Sequence, residues 1–176
     1  MKTWQRGLLA CCALLALLGG AAFAQTPGAP PVEFPYTGNR TAVWIVAQLH
    51  ILFAAFILGA PIFVVISEWL GYRKHDPRYD RLAKEVMKVT VILYSMTALT
   101  GGLFIFVLLA TYPQFTTWLI NHFFLVFAVI YPLLFIGETI LLYMYFYSWD
   151  AWKGEKKARH IALGILLNLV GTITLF

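Results

Sequence analysis

Residues 41–69 read TAVWIVAQLHILFAAFILGAPIFVVISEW. The stretch is long enough to cross a bilayer as one helix, because a span needs roughly 20 predominantly apolar residues. His50 is its ionisable group at depth, and Glu68 stands at its far end. An ionisable side chain inside hydrocarbon costs on the order of 3 kcal/mol or more, which makes each a functional candidate. The two are 18 positions apart. At about 100° per residue that is close to five whole turns, so they share a face. Ala55 and Gly59 lie on the opposite face, a small-xxx-small pair on which another helix can close. The expected division is one face that holds something and one that packs.

The rest of the chain is as apolar as this stretch. Of its 176 residues 61% are hydrophobic and 12% charged, more apolar surface than a soluble domain of this size can bury. The class is an all-α integral membrane protein. The net charge of +5 does not point to nucleic acid, because the basic residues cluster where loops meet a membrane.

At the N-terminus Lys2 and Arg6 precede an apolar run over residues 7–18, and Ala22-Phe23-Ala24 forms a small-x-small cleavage site. This is the pattern of a cleavable signal peptide over residues 1–24, with an uncleaved anchor as the alternative. Cleavage removes Cys11 and Cys12, the chain's two cysteines, and with them any disulfide, thiolate site or covalent haem attachment. Residues 25–40 are rich in Pro and Gly and read as an extended exported tail.

Four spanning helices are expected over about 41–69, 89–111, 122–147 and 161–176, forming one membrane domain over 41–176. In the second, Thr97 with Gly101 and Ala98 with Gly102 are spaced four apart for close packing. In the third, Pro132 should produce a kink. The fourth, at 16 residues, rises only about 24 Å against a core of about 30 Å, so the chain reads as a fragment or a split gene product. Arg73, Lys74, Arg78, Arg81, Lys84 and Lys88 follow the first helix; Lys153, Lys156, Lys157 and Arg159 follow the third. Residues 112–121, read as a short turn, carry no charge. Positive loops stay in the cytoplasm, so the mature N-terminus is expected outside, in the periplasm of a bacterial inner-membrane protein. Tyr112 and Trp118 suit the outer aromatic belt; Tyr147, Trp149 and Trp152 suit the inner one.

The candidate sites carry bland alternatives. His50 lies about 13 Å below the outer helix end, where a neutral imidazole can ligate haem iron or hydrogen-bond a neighbouring helix. Glu138, in the inner half of the third helix, is either a proton relay or a packing carboxyl. Glu68 is expected to be solvated or salt-bridged, a lesser candidate for contact with a cofactor. His160 reads as a helix-end histidine, His122 as interfacial and His75 as a loop residue. No two histidines recur at one depth on facing helices, so a bis-histidine dihaem pattern is not evident.

From about Arg40 onward the chain resembles the first four helices of subunit I of cytochrome bd quinol oxidase. The family's haem-ligating histidine, with a glycine nine and a glutamate eighteen positions on, matches His50, Gly59 and Glu68. Its basic loop and Thr-Gly match Tyr79, Lys84, Lys88 and Thr100-Gly101. Its glutamate with Trp-Asp eleven and twelve positions later matches Glu138 and Trp149-Asp150 in GETILLYMYFYSWD, and a histidine after that loop matches His160. Two family acids are replaced, by Ile105 and Ile130. The sequence stops before the family's quinol loop and its low-spin haem ligands.

The resemblance implies a haem-binding subunit of a respiratory electron-transfer complex. The haem would be non-covalent, of b or d type, with His50 as axial ligand and Glu138 and His160 in an inner proton path. Quinol or a periplasmic cytochrome would supply electrons, and partner membrane subunits the missing helices and ligands. Two alternatives stay open: a haem-free structural or assembly subunit, and a split fragment of an active bd-type quinol oxidase. Activity of this chain alone is not expected.

Overall fold

The structure, a computed structural model, describes residues 30–175; the expected signal peptide over 1–24 and both cysteines lie outside the described residues. Its elements are α1 (Asn39–Lys74), α2 (Pro77–Thr111), α3 (Pro113–His122), a π-helical segment (Leu125–Ile130) running into α4 (Tyr131–Ser148), a 3₁₀ turn (Gly154–Lys156) and α5 (Lys157–Leu175). Four stretches are long and apolar enough to cross a membrane: Asn39–Lys74, Pro77–Thr111, Leu125–Ser148 and Gly154–Leu175. Apolar side chains cover much of their outer surface, from Trp44 and Leu52 to Leu133 and Leu169, as a lipid-facing surface requires.

Each helix runs antiparallel to its neighbours. Gly71 meets Tyr79 and Asp80 while His50 meets Gly101, which pairs α1 with α2. Val65 and Tyr145 both meet Gly164, and Glu138 meets Gly171, which sets α5 against α1 and α4. Tyr94 closes the ring by hydrogen-bonding Thr139 of α4 at 2.6 Å. Both basic loops therefore lie at one end, tied by Lys84 to Asp150 at 2.7 Å. The core is concentrated towards that end, where Val64, Met87, Thr90, Leu142, Tyr145 and Trp149 are fully buried.

Several boundaries differ from the expected ones for identifiable reasons. Helix α2 starts at Pro77, twelve residues before the expected 89, although the stretch is polar. Asp76 caps it by accepting the Arg78 backbone N–H at 3.0 Å, and Pro77 supplies a preset φ at the first position. His75, in the left-handed region at φ 52°, ends α1 just before. Residues 112–121 are not a turn: Pro113 opens the ten-residue α3, whose Thr116 hydroxyl donates to the Tyr112 carbonyl. Pro132 lies inside the continuous helical run that begins at Leu125, where its missing N–H removes one bond. The π segment before it re-registers the backbone, with Tyr131 N–H reaching Val126 O. The 3₁₀ turn and α5 lengthen the last span to 22 residues, Gly154–Leu175.

The packing faces also differ. Ala55 and Gly59 are exposed, and a Cβ on Gly59 would meet nothing within 4 Å. Helix α1 packs instead through Ile57, Ala60, Pro61, Val64 and Glu68, on the same side as His50. On α2, Gly101 is in contact and Gly102 is not. Trp149, expected in an aromatic belt, is only 1% exposed and belongs to the core.

Candidate functional site

His50 is half-buried between α1 and α2. Its Nδ1 lies 3.2 Å from the Thr97 carbonyl oxygen and 3.4 Å from Thr100 Oγ1. A carbonyl only accepts, so Nδ1 carries the hydrogen and Nε2 keeps its lone pair. Nε2 has no hydrogen-bond partner among the described residues. No buried side-chain nitrogen or oxygen there lacks a partner, so Nε2 reaches the surface of the bundle. Phe104 stacks beside the ring at 6.5 Å between centroids.

This is the geometry a metal-ligating histidine takes, with one ring nitrogen fixed by a carbonyl and the other open. The residues fit an axial haem ligand. Among the described residues no group of three or more His, Cys, Asp or Glu side chains comes together to hold a bare metal ion.

Glu68 ends in a different setting. It is wholly buried at the basic-loop end. Its Oε1 lies 2.6 Å from Lys157 Nζ and pairs with His160 Nδ1; its Oε2 accepts the Tyr145 hydroxyl. Both oxygens are engaged, by α5 and α4 rather than by solvent. His160 is equally buried, and its Nε2–H donates to the Tyr145 carbonyl at 2.9 Å. The Tyr145 ring stacks on the imidazole at 4.4 Å, and Trp149 meets it edge-on at 4.8 Å. Lys157 lies 4.8 Å over the Trp149 ring and also pairs with Asp80, which accepts the Trp149 indole N–H at 3.3 Å.

Local sequence sets this cluster up. Lys157 and His160 are three apart in the first turn of α5, and Tyr145 and Trp149 are four apart at the end of α4, so each pair presents one face. Asp80 sits in the first turn of α2, where the helix dipole favours a carboxylate. Nearby, outside the spans, Lys84 and Lys153 hold the Asp150 carboxyl down to about 2, and Arg78 lowers Asp76.

Glu138 stands apart from His160. It is half-buried on α4 over Gly171, with no hydrogen bond or ion pair among the described residues. No direct bond joins it to His160, whose partners are Glu68 and Tyr145. His122 and His75 are exposed; His122 Nδ1 meets the Trp118 carbonyl at 2.9 Å. Sequence reasoning passed over Asp80 and Tyr145 and counted Lys157 as a loop charge. The i,i+3 and i,i+4 spacings were readable signals, but the partners across helices were not.

Four apolar helices enclosing buried ionisable groups define a multi-pass membrane protein. The family model for cytochrome bd terminal oxidase subunit I matches residues 39–176, and the chain belongs to that family. The structure is similar to that of bd oxidase from Geobacillus thermodenitrificans, with a TM-score of 0.67 and 25% sequence identity. The likeness covers 77% of this chain and 31% of that one, so this chain spans about a third of its relative's length. No curated protein matches.

Proposed function

We propose that this chain is a haem-binding subunit of a respiratory electron-transfer complex in a bacterial inner membrane, its mature N-terminus in the periplasm. In this reading it passes electrons between quinol, or a periplasmic cytochrome, and partner subunits that add further helices and haem ligands. The observation that supports it is His50, with Nδ1 held on the Thr97 carbonyl and Nε2 open. Non-covalent haem of b or d type would be held through that nitrogen and would supply one-electron chemistry. Thr97 fixes the tautomer and orientation, and Gly101 leaves room for the ring.

Glu138 and His160 are the proton-carrying groups of the inner half. Glu138 precedes Tyr145, the acceptor of the His160 bond, by seven residues, a rise of about 10 Å on α4. A proton path through both therefore requires water or a partner's side chain between them. The purified complex should show a Soret band that is lost in His50→Ala. A haem spectrum unchanged by that substitution overturns the ligand assignment.

A second reading is a haem-free structural or assembly subunit. Ile105 and Ile130 favour it: both are exposed and apolar where the resemblance calls for acids. Pyridine haemochrome analysis of the complete complex separates the two, and absence of haem there supports scaffolding.

A further inference from the structure

The hydrogen count at Glu68 and His160 leads further than their burial. His160 Nε2 faces a backbone carbonyl, which only accepts, so Nε2 bears a hydrogen. Nδ1 faces Glu68 Oε1, and an ionised carboxylate also only accepts. Two acceptors facing one neutral ring leave one contact without a hydrogen. These contacts therefore have room for one proton more than a neutral imidazole and a carboxylate carry between them.

Charge balance agrees. Facing the pair are Lys157 from α5, Asp80 of α2 through Lys157, and the Tyr145 phenol from α4. No other charged group pairs with them among the described residues. With the extra proton the cluster has two positive and two negative groups and is neutral. Without it a net negative charge is left where Glu68 and His160 have no exposed surface, which is costly.

A way in exists. Asp80 and Lys157 also line a surface cavity of about 290 Å³, together with His75, Asp76 and Lys153. Lys157 thus touches the cavity on one side and Glu68 on the other.

We propose that Glu68 and His160 form a proton-binding site at the basic-loop end, loaded through the Asp80–Lys157 cavity. The step is one proton passing from hydronium in the cavity to the Nδ1–Oε1 pair: an O–H bond of the hydronium breaks, an N–H or O–H bond forms at the pair, and water is left in the cavity. The route deepens the proton-path reading above; the proton count does not depend on haem.

The test is ¹⁵N-histidine NMR on the full chain in lipid bilayers at about pH 7, with His75→Gln and His122→Gln leaving only His50 and His160. The expected result is a doubly protonated His160 imidazole, or a neutral one accompanied by a protonated-carboxyl infrared band that Glu68→Gln removes. A neutral His160 beside an ionised Glu68 overturns the site. The two histidine variants lie at exposed positions, so the protonation of the His160 ring is read without a core substitution. For the route, the bound proton should exchange in D₂O at least tenfold more slowly in Asp80→Asn, and unchanged exchange overturns entry through the cavity. Loss of the Soret band bears on neither result, so failure of the haem reading and failure of this site are distinguishable.

Discussion

A methyl group on Gly101 would lie 2.9 Å from His50 Cε1 and 3.3 Å from its Nδ1, inside van der Waals contact. The α2 backbone therefore serves as a floor for the imidazole, and the Thr97 carbonyl one turn earlier holds the ring on it.

Gly101→Ala should displace that ring. Overpacking costs about 1–3 kcal/mol, while replacing Gly by Ala within a helix returns about 1 kcal/mol. The expected change in stability is thus between nothing and about 2 kcal/mol of loss, with haem content reduced more than stability. Gly102→Ala, which meets nothing within 4 Å, is the control and should be neutral or stabilising. Thermal unfolding and haem-to-protein ratio measured together would check both; equal haem content in the two variants would count against the floor.

Gly164 is the tightest contact between α5 and its neighbours. A Cβ there would fall 2.6 Å from Val65 Cγ2 and 2.8 Å from Tyr145 Cε2, both on well-packed side chains. Gly164→Ala should destabilise the bundle, since the strain outweighs the helix-propensity gain. Gly59→Ala, facing open space within the chain, should not. Unfolding midpoints of the two variants in one detergent give the comparison.

The two glutamates should separate by stability. Glu68→Ala removes the carboxyl partner of His160 and leaves Lys157 with Asp80 alone, and breaking a buried pair in this way costs about 3–5 kcal/mol. Glu138 has no partner among the described residues, so Glu138→Ala should change the isolated chain by no more than about 0.5 kcal/mol. Denaturant titration of both variants would show it. A large loss in Glu138→Ala would mean that the carboxyl is paired.

Asp150 gives a pH window. Its carboxyl ionises at about 2 beside Lys84 and Lys153, against about 3.9 in an unfolded chain. A lowered folded value stabilises above the unfolded one and is lost as pH falls, here from about 4 to about 2. Asp150 is exposed, so the effect is small and screened by salt. Unfolding temperature should fall less steeply over that window in Asp150→Asn, and the difference should shrink at high salt.

Much of this architecture could be read from the sequence. The four spans follow from apolar runs longer than about 20 residues, a requirement of the bilayer rather than of particular neighbours. His50 and Glu138 stood out because an ionisable group in such a run is costly. Burial was harder to see. Periodicity put His50 and Glu68 on one face correctly, but gave the packing to Ala55 and Gly59; small residues permit a close approach without causing one. Residues 77–88 look polar, yet Asp76-Pro77 is a helix-start signal independent of hydropathy. The Glu68 cluster was not readable, because it is made of single residues from α1, α2, α4 and α5 that only the bundle brings together.

Pro61 lies between His50 and Glu68 and cannot donate to the carbonyl one turn before it, so α1 lacks one rung at its middle. Asn168 spans to the Pro61 carbonyl from α5 at 3.2 Å, which pins that point sideways without restoring the rung. The first helix is thereby fastened to α5 at two heights, at Pro61 and at Glu68. Its His50 end is fastened to α2 instead, through the Thr97 carbonyl.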